Sequence, residues 1–286
     1  MLNLKVIGVP EHFNYPWHRG IDSGAFEKVG VNVDWTDVPG GTGAMMTQIR
    51  EGEADVAVVL TQGAIARILD GDACRIVKTY VESPLIWGIH VAADSPLKEI
   101  EEIQGRTYAI SRQGSGSHLM SIVDASERGW PADSPKFEIV GGLEGARKAL
   151  ANGSADIFFW EKFTTDPYVQ NGEFRLIGVR ETIWPAFVIV ARNELIEANG
   201  SLLAAMLTEL NQQCSAVAES SDSVEQIASM YKLEPSETAQ WKSVTRWSCD
   251  FSCPTAGINT AIAYIDRLGI ADGSKATVDD IWHNLV

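Results

Sequence analysis

The sequence predicts an α/β protein of two similar lobes, each with a mostly parallel β-sheet, joined by two crossover strands with a ligand cleft between the lobes. Three observations predict this. The chain has 286 residues, enough for two lobes of roughly 100–150 residues each. A pattern in its first half recurs in the second half at a constant offset of 101 residues. Short apolar runs alternate with helical segments, the order that builds a mostly parallel sheet.

The internal repeat is the most informative of these features. Each copy consists of a turn, a helix that ends at a glycine, and a buried strand. Glycine ends a helix because it tolerates a positive φ. A single match could arise by chance, but agreement over five successive elements favours two equivalent lobes. The matched positions are Gly40-Gly41 and Gly141-Gly142, Gly52 and Gly153, and Ala54-Asp55 and Ala155-Asp156.

Two apolar segments bracket the second lobe. Residues 83–92 and 184–192 have strand-like composition and begin next to prolines, so we interpret them as the crossover strands. They place residues 1–90 and 188–286 in lobe 1 and residues 91–187 in lobe 2. The remaining chain is helical in pattern and is broken near Asn199-Gly200, Ser220-Ser221 and Pro235. The simplest path returns this tail to lobe 1, which makes a hinged protein.

The composition excludes several classes of partner. Hydrophobic residues make up 45% of the chain, and 23 basic against 38 acidic residues give a net charge of −15. This acidity disfavours nucleic acids and anionic membrane surfaces. No apolar run approaches the roughly 18–20 residues that span a bilayer, so no membrane insertion is predicted.

The sequence as given predicts a cytoplasmic location. Its first ten residues lead into a predicted strand and lack a signal-peptide pattern. The four cysteines form no CxxC pair and are too few for a disulfide framework in a chain this long. A periplasmic location is expected instead if a signal has been removed.

The strongest candidate for ligand binding is the loop 111–118. Gly114 and Gly116 allow close backbone approach, and Ser115 or Ser117 can cap the following helix. Backbone N–H groups at a helix start attract a carboxylate, sulfonate or phosphate. The alternative is a turn that only caps a helix. The candidate ligand-binding side chains here are Arg112, Ser115, Ser117 and His118.

Further candidates follow from the repeat and from the ends of the predicted strands. Ligands of open α/β sheets collect where strands end and helices begin. The segment 40–43 opens a second helix, with a threonine as a second donor, and the loop 11–18 is rich in aromatic and amide groups. Alternatives are an aromatic staple, a core tryptophan and a solvated Glu161-Lys162 pair. The candidates are Asn14, Tyr15, Gly41, Thr42, Thr61, Gln62, Trp160 and Glu161.

Catalytic and metal signatures are sparse. The sequence has no GxxxxGK, HExxH, GxSxG or complete GxGxxG motif, and its five histidines lack metal-ligand spacing. Cys249 and Cys253 could share a metal only on a helix, and no histidine is near. We therefore predict no cofactor, no metal and no catalytic residue, and a binding protein is favoured over an enzyme.

Three segments carry a family resemblance. Residues 110–118 and 156–163 resemble the type 2 periplasmic binding proteins, and more narrowly the nitrate-, sulfonate- and taurine-binding ABC transporter substrate-binding proteins. This group also includes fungal thiamine-pyrimidine synthases. Residues 39–45 and 160–164 together resemble a bacterial and fungal branch whose ligand the sequence does not identify. The resemblance implies capture of a small anionic ligand by hinge closure, with its acid group at Ser115, Ser117 and His118. It also implies an ABC permease as a partner.

The leading hypothesis is a binding protein for a small organic anion or a heterocycle that carries one. Tyr15 and Trp160 would cover its apolar part. Its polar substituents would be selected by Asn14, Thr61, Gln62 and Glu161. One alternative is a cytoplasmic enzyme on the same fold, pyrimidine-synthase-like or menaquinone-pathway-like, with His118 or His12 as acid or base. Another is a ligand sensor whose closed form binds a protein partner.

Overall fold

The computed structural model describes residues 1–131 and 133–286, which form two compact units. Unit 1 comprises Met1–Pro84 and Ile183–Val286, and unit 2 comprises Leu85–Thr182. The boundaries expected from the sequence, at 90 and 187, lie a few residues later. The observed junctions come earlier because the strand Ile86–Ala92 pairs entirely within the second sheet.

Each unit contains one five-stranded sheet. The strands of unit 1 are β1 (Leu2–Gly8), β2 (Val31–Asp37), β3 (Val56–Leu60), β4 (Cys74–Val81) and β10 (Phe187–Arg192). Those of unit 2 are β5 (Ile86–Ala92), β6 (Thr107–Ile110), β7 (Lys136–Ile139), β8 (Ile157–Glu161) and β9 (Phe174–Glu181). The strand orders are β2-β1-β3-β10-β4 and β7-β6-β8-β5-β9.

The two sheets are mixed in the same way. Four strands of each sheet run in one direction, and the fifth, β10 or β5, runs against its two neighbours. These antiparallel strands are the predicted crossover strands. The predicted α/β class with mostly parallel sheets is therefore confirmed.

Most of the helices belong to unit 1. They are α1 (Tyr15–Asp22), α2 (Ala25–Lys28), α3 (Gly41–Glu51), α4 (Thr61–Leu69), α8 (Asn193–Glu219), α9 (Ser223–Tyr231), α10 (Pro235–Val244), α11 (Thr255–Arg267) and α12 (Val278–Ile281). Unit 2 contains α5 (Gly116–Glu127), α6 (Leu143–Asn152) and α7 (Lys162–Gln170). In the described ranges, no helix is both long enough and apolar enough to cross a membrane.

The repeat in the sequence corresponds to equivalent elements of the two units. The strand β8 begins 101 residues after β3, and the helix α7 begins 101 residues after α4. The glycines that end α3 and α6 have nearly identical left-handed conformations, with φ of 73° at Gly52 and 74° at Gly153. This conformation is the reason that glycine recurs at these two positions.

The helical tail packs in unit 1 and shows the predicted breaks. Asn199 has a non-helical conformation inside α8, α8 ends at Glu219, and α10 begins at Pro235. The apolar face of α8 is buried through Leu203, Met206, Leu207 and Leu210. Burial of this stripe, more than helix propensity, holds the tail on the unit.

Strand direction determines where the candidate residues lie. In unit 1, β1, β3 and β4 end at the same edge of the sheet, and β10 begins there, because Phe187 pairs with both Leu60 and Val81. In unit 2, β6 and β8 end at the corresponding edge, where β5 begins. The candidate loops and helix starts follow these strand ends, where open α/β sheets bind ligands.

Candidate functional site

The loop after β6 in unit 2 is closed by two buried serines. Ser115 is the N-cap of α5, and its Oγ accepts a hydrogen bond from the His118 backbone N–H at 3.4 Å. The Ser117 Oγ accepts from the Ser111 N–H at 3.1 Å and also lies 3.1 Å from the Ser115 Oγ. The predicted cap is therefore present, with Ser115 in that role.

This arrangement fixes the start of α5 and leaves backbone donors there. Gly116 and Ser117 occupy the first two helical positions, where an α-helix offers no internal acceptor for the N–H groups. The partial positive charge of the helix start adds to the same region. The geometry suits a small anionic group.

His118 lies in the first turn of α5, and Arg112 lies in the loop before it. The His118 Nδ1 accepts a hydrogen bond from the Gly114 N–H at 3.1 Å, so the neutral ring carries its hydrogen on Nε2. Burial lowers the pKa of His118, which favours this neutral form. The ring packs edge-on against Phe137. Arg112 is half-buried, and burial lowers the pKa of its guanidinium.

Glu161 ends β8 and caps α7. Its Oε2 accepts hydrogen bonds from the Thr164 backbone N–H at 2.7 Å and from the Thr164 hydroxyl at 2.8 Å. Burial raises the pKa of Glu161 to about 7, even though these hydrogen bonds favour the carboxylate. Glu161 is therefore a buried carboxyl group that titrates near neutral pH, not part of a solvated pair.

Trp160 is shared between the core and the edge of the sheet. Its ring stacks on Phe158 with centroids 5.1 Å apart, and it packs against the cluster of buried residues under α6. The side chain is half-buried. Trp160 thus has a structural role and keeps part of its surface accessible.

In the unit 1 loop after β1, the buried Asn14 and the half-buried Tyr15 have defined partners. The Asn14 Nδ2 donates to the Val9 carbonyl at 2.7 Å. Its Oδ1 has no hydrogen-bond partner among the described residues. The Tyr15 hydroxyl donates to the Gln226 Oε1 on α9 at 2.7 Å.

The other unit 1 candidates lie at the starts of α3 and α4. Gly41 begins α3 with a φ of 66°. The Thr42 Oγ1 accepts a hydrogen bond from the Leu60 N–H at 3.0 Å. Because a hydroxyl that accepts can also donate, its expected role as a donor stays a prediction. The Thr61 hydroxyl donates to the Pro185 carbonyl at 2.5 Å, so its hydrogen is committed to the backbone. These two threonines hold the end of β3 in place.

Gln62, next to Thr61, is buried, and only one of its two polar side-chain atoms is hydrogen-bonded. Its Oε1 accepts a hydrogen bond from the Trp184 indole at 2.9 Å. Its Nε2 has no partner within residues 1–131 and 133–286. One polar end of the side chain therefore supports the fold, and the other is left unused.

Several further residues at these edges make contacts that the sequence patterns do not predict. Trp184 and Pro185 hold the start of α4, and their position just before β10 was the available signal. Trp87 on β5 pairs across the sheet with Glu161 and with Arg180, and its buried Nε1 lacks a partner in the part of the chain that the structure describes. Because residues directly opposite each other on paired strands point to the same face of a sheet, Trp87, Glu161 and Arg180 share one face.

His12 is packed in the core, and the two cysteines of the 249–253 segment lie outside the helices. Burial lowers the pKa of His12 to about 3, and its ring packs edge-on against the Trp241 ring with centroids 4.2 Å apart. Cys249 and Cys253 lie in a segment without helix. Across the described residues, no group of three or more His, Cys, Asp or Glu side chains is placed to hold a metal ion.

Comparison with known proteins identifies the fold. Residues 87–179 match the family model described as Ca3427-like PBP. A Candida albicans protein, the CA3427 gene product, has a solved structure described as the generic periplasmic binding protein fold. It aligns with a TM-score of 0.92 and 23% identity over 99% of this chain and 97% of that chain. The chain has the periplasmic-binding-protein fold.

Two other solved structures extend this result. The alkanesulfonate-binding protein SsuA from Xanthomonas axonopodis aligns with a TM-score of 0.83 and 14% identity, over 99% of this chain and 98% of that one. The periplasmic nitrate-binding protein NrtA from Synechocystis aligns with a TM-score of 0.75 and 15% identity, over 99% and 86%. The predicted likeness to sulfonate- and nitrate-binding proteins is confirmed at the level of the fold. No curated protein matches the chain.

Proposed function

We propose that this protein binds a small molecule through an acidic group held at the start of α5, and that its two units close on the ligand. The observation that carries the proposal is the hydrogen-bonded Ser115–Ser117 pair, buried at the start of α5, where the first N–H groups have no acceptor within the helix. A site of this kind binds an anion without a formal positive charge. The Nε2–H of His118 and the guanidinium of Arg112 supply further donors.

The negative net charge of the protein means that an anionic ligand must be held by hydrogen-bond donors close to it. A chain with a net charge of −15 repels anions at long range, so short-range donors must hold the acid group. One helix start contributes roughly 0.3–1 kcal/mol when exposed, whereas micromolar affinity requires about 8 kcal/mol. Burial of the rest of the ligand by closure must supply most of the difference.

The names of the structural relatives agree with an anionic ligand. An alkanesulfonate and nitrate, the ligands in two of those names, are both anions. The aromatic surfaces of Tyr15 and Trp160 suit an apolar or heterocyclic body attached to the acid group. The proposed ligand class is therefore a small organic acid, including heterocyclic acids.

The first experiment identifies the ligand that the protein retains. Native mass spectrometry of the purified chain, followed by denaturation, releases any bound small molecule for identification. We expect an organic acid that rebinds and is recovered unchanged after incubation. A neutral or cationic ligand would contradict the proposal, and a chemically altered product would favour the enzyme hypothesis.

The second experiment tests the site. Ser115→Ala and Ser117→Ala should weaken binding of that acid at least tenfold by calorimetry. Ser121→Ala is the matched control, because its hydroxyl lies one turn further along α5 and donates to the Ser117 carbonyl. Equal affinities of all three variants would contradict the site. Small-angle scattering with and without the acid tests closure, which should reduce the radius of gyration.

An ABC permease is the proposed partner where the protein is exported. This part of the proposal is supported only by the resemblance of residues 110–118 and 156–163 to substrate-binding proteins of such transporters. Stimulation of ATP hydrolysis by a reconstituted permease encoded beside this gene tests it. A neighbourhood of biosynthetic genes alone would favour the enzyme hypothesis.

A further inference from the structure

Two buried side-chain amides in unit 1 each use one polar end and leave the other unpaired. Asn14 and Gln62 are 0% and 1% exposed. Within the described ranges, neither the Asn14 Oδ1 nor the Gln62 Nε2 has a hydrogen-bond partner. Buried polar atoms in folded proteins are nearly always paired, so an unpaired one needs an explanation.

The hydrogen-bond partner of each amide determines which of its two polar atoms stays unpaired. Val9 offers Asn14 a carbonyl, which can only accept, so the atom beside it must be the Asn14 Nδ2. Trp184 offers Gln62 an indole N–H, which can only donate, so the atom beside it must be the Gln62 Oε1. Neither amide can be turned over without losing its bond. Among the described residues, these two amides therefore leave one acceptor, the Asn14 Oδ1, and one NH₂ donor, the Gln62 Nε2, without a partner.

Both amides lie at the edge of the unit 1 sheet where β1 and β3 end. The Asn14 amide covers the end of β1, since a Cβ at Gly8 would come within 2.8 Å of its Nδ2. Gln62 is the second residue of α4, directly after β3. The strands β1 and β3 are paired neighbours, with Ile7 opposite Ala57. The Thr61–Pro185 and Gln62–Trp184 hydrogen bonds hold the start of α4 rigidly.

We propose that Asn14 Oδ1 and Gln62 Nε2 bind a neutral donor–acceptor group of the ligand, such as a carboxamide, a ureide or the lactam edge of a heterocycle. This inference rests on the proposed function, because it concerns the part of the same ligand that does not carry the acid group. A donor and an acceptor held in fixed orientation reject analogues that lack the matching groups, since binding them would leave both protein atoms unpaired.

The test uses two pairs of monoanionic probes. Orotate carries a carboxylate and lactam groups on its ring, and benzoate carries the carboxylate alone. Glutaramate and pentanoate form the same contrast without a ring. In calorimetric titrations of the full chain, we expect the donor–acceptor member of at least one pair to bind ten times more tightly or better. Equal affinity within both pairs would overturn the inference.

Variants of Gln62 locate the effect. Gln62→Glu keeps the acceptor for Trp184 and replaces the NH₂ donor with oxygen, so it should reduce the affinity ratio within the responding pair at least tenfold. Both members of a pair carry one negative charge, so the added charge of the variant weakens the binding of both alike and does not change the ratio of their affinities. Gln62→Met removes the donor without adding charge and should act in the same direction. Gln213→Glu, at a half-buried glutamine on α8 whose Oε1 accepts from Arg19, is the matched control.

The outcomes separate the two proposals. An unchanged ratio in both Gln62 variants overturns the inference and leaves the proposed function standing, provided that benzoate or pentanoate binding is lost in Ser115→Ala. If none of the four probes binds the unaltered chain, the inference is overturned, and the proposed function is decided separately by the ligand that the protein retains. A reduced ratio in Gln213→Glu would also overturn the inference, because the effect would not be local to Gln62.

Discussion

Asp55 and Asp156 make the same pair of hydrogen bonds in the two sheets. The backbone N–H of Asp55 donates to the Lys5 carbonyl, and its carboxylate accepts from the Lys5 N–H, both at 2.9 Å. Asp156 does the same with Thr107, at 2.8 and 2.9 Å. Each aspartate thus joins the start of one strand to its parallel neighbour. The Ala-Asp repeat in the sequence records this shared contact.

Replacement of the two aspartates should have unequal costs. Asp156→Ala loses a hydrogen bond to the backbone, worth about 1 kcal/mol. Asp55→Ala also loses an ion pair with Arg192 at 2.6 Å, so we expect about 2 kcal/mol. Urea denaturation measures the change, and hydrogen exchange should quicken at the Lys5 or Thr107 amide. Asp34→Ala, at an exposed position on β2, is the control. Equal losses at Asp55 and Asp156 would contradict a role for Arg192.

Asp124 should be far more important for stability than Glu144, although each carboxylate bridges two cations. Asp124 is fully buried and pairs with Arg128, the C-cap residue of its own helix, and with Arg180 on β9, both at 2.8 Å. Glu144 is exposed and pairs with Arg147 and Lys148 on its own helix.

We expect Asp124→Ala to cost about 3 kcal/mol, because it frees two half-buried guanidinium groups, and Glu144→Ala to cost less than about 1 kcal/mol. Thermal denaturation compares the variants. Hydrogen exchange along α5 should rise only in Asp124→Ala. Similar melting temperatures for the two would show that α5 does not depend on this bridge.

Glu161 should make the protein less stable as the pH rises from about 4.5 to about 7. The folded chain holds a proton on Glu161 up to a pKa of about 7, whereas the unfolded chain releases it near the ordinary value of 4.5. The folded state therefore binds more protons in this window, and the free energy of unfolding falls with pH by up to about 1.4 kcal/mol per unit.

Glu161→Gln keeps an acceptor for Thr164 and removes this titration. We expect its unfolding free energy to show a flatter pH profile between 4.5 and 7, with stability at pH 8 equal to or above that of the unaltered chain. Glu181→Gln, at the end of β9, is the control. Parallel profiles for the unaltered chain and Glu161→Gln would argue against a raised pKa at Glu161.

His12 should lower the free energy of unfolding as the pH falls below about 6.5. Burial lowers the pKa of His12 from 6.5 to about 3, so between these values the unfolded chain binds a proton that the folded chain does not. Stability therefore falls as the pH drops through this window. His12→Phe, which keeps a ring beside Trp241, should reduce the acid sensitivity. His283→Phe, at an exposed position, should leave the profile unchanged, and acid profiles that do not distinguish the two variants would contradict the prediction.

The fold was largely predictable because its signals are local. A helix that must end in a left-handed conformation selects glycine, and this happens at the equivalent residues Gly52 and Gly153. Buried parallel strands select continuous apolar runs such as 56–59. The serine cap of α5 is equally local, because Ser115 bonds a backbone group three residues away. Short-range patterns of this kind are visible in a single sequence.

The chemistry of the candidate site depended instead on contacts between distant parts of the chain. Thr61 and Gln62 bond partners 124 and 122 residues away, which determines that the threonine has no hydrogen left to donate and that the glutamine keeps only its NH₂ group. The pKa values of His12 and Glu161 depend on burial by the surrounding elements. The sequence by itself determined which strands and helices form, and the tertiary structure decided which polar atoms they leave unpaired, because hydrogen bonds and desolvation depend on neighbours in space.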